Sequence, residues 1–114
     1  MTAQHAPPED CPPAYQEDVN HWEHEPALAL REHRVHWSVQ AAIAKQGYTT
    51  MACLADIWQT LEDCRTSAPG EFKFAENDNG FTKQTSRLAA VRLAHAVEDA
   101  KQHRRMRYDA IKAS

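Results

Sequence analysis

Glycine is scarce in this chain of 114 residues: only Gly47, Gly70 and Gly80 are present, and Val and Ile together number eight. A sheet fold draws on many tight turns and β-branched strands, so sandwich, barrel and doubly wound architectures are excluded. No apolar run approaches the roughly 18 to 20 residues of a membrane-crossing helix. The best stretch, Leu88 to Val97, is interrupted by Arg92 and His95. Met1 to Asp10 holds neither a basic region nor an apolar stretch, so no secretory signal is read there. The expectation is an intracellular chain, with nothing that separates cytoplasm from nucleus. A Gly-rich phosphate loop, a nucleophile elbow and a carboxylate pair in an apolar setting are all missing, so no catalytic residue and no cofactor are assigned. The three cysteines, Cys11, Cys53 and Cys64, match no zinc-ribbon spacing. On one unbroken helix Cys53 and Cys64 would stand about 16 Å apart, beyond disulfide reach, so free thiols in a reducing compartment are expected.

Alanine is what the chain has in abundance. It supplies 19 of the 48 hydrophobic residues, and with the cysteines set aside 26 larger apolar side chains remain to build a core. Such a core favours packed helices and is too small to wall off a substrate pocket on the order of several hundred cubic ångströms. The net charge of −3 hides a division. Residues 1–25 carry six acids and no Lys or Arg, whereas 101–112 carry five cations against Asp109.

Along the chain, residues 1–17 are acidic and hold Pro7, Pro8, Pro12 and Pro13, a composition that reads as a disordered arm. Residues 18–112 read as one helical domain with a basic C-terminal helix end. Asp18 caps a short turn, and Pro26 opens a helix reaching Gln46, with Leu28, Val35, Val39, Ala42 and Ile43 in one stripe and Leu30, Trp37, Ala41 and Ala44 beside it. Gly47 is the natural stop. Thr50 is an N-cap candidate, and Thr60-Leu61-Glu62-Asp63 has the form of a capping box, so the next helix either continues to Thr66 or breaks near Gln59 and restarts. Ala68-Pro69-Gly70 is expected to end it. Phe72 and Phe74 then pin a loop to the core, and Asn77 to Gly80 make a turn. The last helix begins after Thr82 or Thr85 and runs towards Ile111, with Leu88, Val91, Leu93, Ala96, Val97 and Ala100 facing inward and a basic tail projecting beyond. The fold class is therefore all-α, a small bundle of about four to five helices with a long C-terminal helix.

Two constellations carry chemistry. His21, His24, His33 and His36 read as two H-x2-H pairs, each able to offer two imidazoles to one metal with Glu25 or Glu32 as a further ligand. The spacing matches no zinc module, and ordinary exposed or packed imidazoles, or a pH-sensitive surface, are the competing readings. The basic tail offers Lys101, Arg104, Arg105 and Arg107 to phosphates or an acidic partner, with Tyr108 to stack on a base. Its alternative is a solvated helix end whose cations suit the C-terminal dipole. A DNA-reading helix-turn-helix at Gln40–Trp58 is poorly supported: Gly47 follows Ala44 by three residues rather than the usual four, and Met51 to Ile57 carries Asp56 and no cation. A helix-hairpin-helix lacks its second glycine after Gly47-Tyr48-Thr49.

The order of Gly47-Tyr48-Thr49-Thr50-Met51-Ala52-Cys53-Leu54-Ala55-Asp56, Leu61-Glu62-Asp63 and the later helix through Arg87-Leu88-Ala89-Ala90-Val91-Arg92-Leu93 resembles sterile-alpha-motif-like domains over roughly residues 26–105. Those are compact helical bundles ending in a long helix. The resemblance implies protein–protein association, often homotypic, with nucleic-acid binding in a minority. No functional residue carries over from it. The expected function is a small, non-catalytic protein–protein interaction module acting on a protein partner or a second copy of itself. The alternative is a nucleic-acid-binding domain that uses the basic helix end.

Overall fold

Side chains that accept from backbone N–H groups set several of the helix starts, and they fix the architecture of the computed structural model. It describes the backbone of residues 11–113 and the side chains as far as Met106. Among the described residues six helices follow one another: α1 (Pro13–Asn20), α2 (His24–Glu32), α3 (Trp37–Lys45), α4 (Met51–Asp56), α5 (Leu61–Glu71) and α6 (Lys83–Ala113). No strand occurs among the described residues. Thr50 Oγ1 accepts from Cys53 N–H at 3.0 Å and Thr60 Oγ1 from Asp63 N–H at 3.0 Å, which starts α4 and α5 and settles the break near Gln59. At α6, Thr82 Oγ1 accepts from Thr85 N–H at 3.1 Å while Thr85 Oγ1 accepts from Thr82 N–H at 2.8 Å, a reciprocal cap.

The expected single helix from Pro26 to Gln46 is instead two, divided at Arg34. Arg34 N–H bonds Arg31 C=O at 3.0 Å and Val35 N–H bonds Leu30 C=O at 2.9 Å, with Arg34 at φ 55. These are the two bonds of a Schellman ending, and Leu30 and Val35, its apolar pair, both lie in the core. The position is normally glycine's, and an arginine there gives no sequence signal of a stop. The break redirects the apolar stripe: Leu28 is left exposed, and Trp37 and Ala42 are half-buried. Gly47, at φ 94, does end α3 as expected.

Other expectations also shift. Pro13 to Glu17, assigned to a disordered arm, lie in α1, which packs against α3 around Cys11, Val19 and Ala41. Residues 1–10 lie outside the described residues. Pro69 does not stop α5, which runs on to Glu71. Leu88 and Val91 are exposed, and the inward face of α6 is Ala89, Ala90, Leu93, Ala94, Ala96, Val97 and Ala100. These mostly small side chains let α5, α4 and α2 lie against α6, which serves as the spine. Phe72 and Phe74 are buried as expected and hold the loop before α6. That loop turns through positive φ at Lys73, Asn77, Asn79 and Gly80. Trp22 Nε1 donates to Gln40 C=O at 3.0 Å, and the buried Gln40 amide donates to Val35 C=O at 2.8 Å, so the polar groups beneath the α2–α3 break are paired. No described helix is long and apolar enough to cross a membrane.

Candidate functional site

The histidines do not converge as a set of four. His21 and His24 are exposed where α1 leads into α2. The break at Arg34 separates His33, the last residue before the turn, from His36, the N-cap of α3. His36 Nδ1 accepts from Ser38 N–H at 3.1 Å and lies 2.8 Å from Ser38 Oγ. Burial holds the His36 imidazole below its ordinary pKa of 6.5. His33 turns the other way, and its Nε2 sits 2.5 Å from Asp99 Oδ2 on α6. Of the two carboxylates considered with the histidines, Glu25 pairs with His103 Nε2 at 3.1 Å, while Glu32 remains beside His33.

The basic helix end is likewise rearranged. Lys101 Nζ donates to Ala55 C=O and Trp58 C=O, both at 2.7 Å, and to Gln59 C=O at 3.3 Å. Its ammonium thus covers carbonyls left unpaired at the end of α4, where the helix dipole favours a cation. Arg104 pairs with Asp56. Arg105 is exposed, and the side chains of Arg107 and Tyr108 lie outside the described residues. The tail therefore departs from the core later than Ala100, because Lys101, His103 and Arg104 each tie α6 back to the bundle.

A groove that the sequence reading did not assemble forms where α1, α3, the Phe72–Phe81 loop and α6 meet. Tyr15 and Trp37 rings lie 4.9 Å apart, Trp37 and His36 5.1 Å, His36 and Phe81 5.0 Å, and Phe81 and Phe74 6.0 Å, a continuous row of five rings. Two concavities follow this row and share His36 and Asn79. One, about 340 Å³, is walled by Tyr15, Trp37, Ala41 and Phe72 and edged by Lys45, Lys73 and Asp18. The other, about 270 Å³, is walled by Phe81, Leu88 and Ala89 and edged by Arg92. Tyr15 and Leu88 remain 45 % and 46 % exposed, so apolar surface is available along its length.

Cys64 is fully buried, and desolvation, partly opposed by the charges of Arg65 and Lys101, pushes its thiol up to about 12. Cys11 is raised by burial as well, and both are poor nucleophiles as thiols. All three cysteines are free. Trp37, Tyr15 and Leu88 were legible in the sequence only as apolar or aromatic residues. Their convergence depends on the α2–α3 break, which no glycine announces. Comparisons of the chain with protein-family models, curated proteins and solved structures find no match.

Proposed function

We propose that the chain is a non-catalytic helical interaction module whose groove receives an acidic segment of a protein partner carrying a large apolar side chain. The observation that carries this reading is the row from exposed Tyr15 through half-buried Trp37 to exposed Leu88, edged by Lys45, Lys73 and Arg92, with Asp18 as the one acid among the described lining residues. Trp, Tyr and Arg are the residue types that dominate binding energy at protein interfaces, and a cationic rim selects and steers an acidic partner. The resemblance to sterile-alpha-motif-like domains supports the same class of function. The basic helix end gives less support to nucleic-acid binding, since Lys101 and Arg104 already have partners within the chain.

The test is calorimetric titration of the chain with acidic peptides bearing Leu, Phe or Trp. Saturable binding heat is expected for acidic peptides, absent for basic ones and lost in W37F. Light scattering on the same samples shows whether a second copy is the occupant, which supports association through a homotypic contact. If acidic peptides give no saturable heat and the chain stays monomeric, the reading fails. It fails also if a short oligonucleotide binds in a manner abolished by R105A and untouched by W37F.

A further inference from the structure

A second cluster lies outside the groove, where the end of α2 meets α6. One donor atom each from Glu32, His33 and Asp99 lies within 4.8 Å of the other two. His95 stands one turn before Asp99 on α6, at the i, i+4 spacing that puts side chains on one helix face, and its ring centroid is 5.8 Å from that of His33. An ordinary ion pair between helices accounts for His33 and Asp99. It leaves unexplained why a second carboxylate gathers at the same point, since Glu32 adds negative charge to Asp99, and why a second imidazole lies next to it. A divalent cation satisfies Glu32, His33 and Asp99 at once, and His95 stands beside them on α6 as a fourth donor within reach.

We propose that Glu32, His33, His95 and Asp99 form a binding site for a divalent first-row transition ion of the zinc type, which joins the C-terminal end of α2 to α6. The donor set decides the class of ion. Imidazole nitrogen suits zinc and its neighbours, whereas magnesium and calcium take oxygen ligands and would have no use for the two histidines. Ligands at about 2.0 to 2.2 Å from a tetrahedral zinc stand roughly 3.4 Å from one another, so the donors of Glu32, His33 and Asp99, within 4.8 Å of one another, need little movement to hold it, and His95 swings in as the fourth. Access is open: the His33 and Asp99 side chains retain 24 % and 41 % exposure, and Glu32 and His95 lie at the surface. The site is independent of the groove, so either reading can fall without the other.

Calorimetric titration of the untagged, reduced full chain with Zn²⁺ tests the site, with Co²⁺ absorption reporting the ligand geometry. Saturation at one equivalent is expected, together with a higher melting temperature in the presence of zinc. H33A and D99N should each weaken binding by at least about tenfold, in line with the loss of ligands or their supports, and H21A/H24A should leave it unchanged. His95 is exposed, so H95N keeps the fold should H33A lose it, and a weakening of about tenfold is expected there too. Failure to saturate with zinc would overturn the site. So would affinity that survives both D99N and H95N, since the ion would then sit on thiols or on the exposed His21–His24 pair. Equal binding of Mg²⁺ that ignores the histidine variants would reduce the cluster to an acidic surface and overturn it as well.

Discussion

Replacing Lys101 by methionine separates the two roles open to that residue. The change keeps an unbranched apolar stem and deletes the ammonium. In the fold, that ammonium makes two bonds of 2.7 Å to the carbonyls of Ala55 and Trp58 and a longer one to Gln59. Ala55 and Trp58 are buried, so water reaches their carbonyls poorly once the donor is gone. A net hydrogen bond to a charged group is worth about 1.5 to 3 kcal/mol. Lysine offsets part of this through the rotamer freedom it loses on ordering, up to about 2 kcal/mol. For K101M the balance is a loss of about 2 kcal/mol, which in a domain of this size lowers the melting temperature by roughly 10 °C. Thermal and urea unfolding followed by circular dichroism measure it, with R105M as the control. Arg105 is exposed, so that variant should stay within about 0.5 kcal/mol of the parent. The gap should persist in high salt, because a partly buried contact is weakly screened. If K101M and R105M unfold together, Lys101 is an ordinary solvated cation and the account of α4's end is wrong.

Other outcomes follow from the same geometry. Arg34 occupies a left-handed position at φ 55, so R34G should stabilise the chain by about 1 kcal/mol, read as a shift in urea midpoint at constant slope. His36 has a folded pKa below its unfolded value, so its contribution is fully present above the unfolded pKa of 6.5 and is lost as pH falls through 6.5 towards the lower folded value. Urea unfolding between pH 7.5 and 5.5 should show that decline, and H36N, which keeps a capping side chain without titrating, should lessen it; an identical decline in H36N would rule the assignment out. Ile43 is wholly buried, and I43A should cost about 2 to 5 kcal/mol by calorimetry, whereas L28A on the exposed side of α2 should be nearly neutral.

The helical class, the stop at Gly47, the caps at Thr50 and Thr60 and the burial of Phe72 and Phe74 were all legible in the sequence, because each rests on local chemistry that neighbouring residues supply. The division at Arg34 was not. Apolar spacing continues through Leu30, Val35 and Val39 as if one helix ran on, and only the tertiary placement of Leu30 and Val35 makes a left-handed arginine tolerable. The same break decides which histidines meet. His33 and Glu32 could be picked out as metal-ligand types, but Asp99 lies 66 positions further on. The local signal available was the spacing of His95 and Asp99 within an alanine-rich helix. Lys101 illustrates the opposite difficulty: a cation in a basic run reads as a surface charge until the end of another helix is found beneath it.

The docking of α1 chiefly on α3, away from the α6 spine, divides the molecule by durability. Helices seated on α6 share one interior and should open together, while α1 can peel away and leave that interior dry. Its amides should therefore exchange with deuterium well before those of Leu93 to Ala100, by local fraying rather than whole-chain unfolding. Since Tyr15 travels with α1, each such excursion removes one wall of the aromatic groove, and an incoming segment would compete with α1 for the face of Trp37.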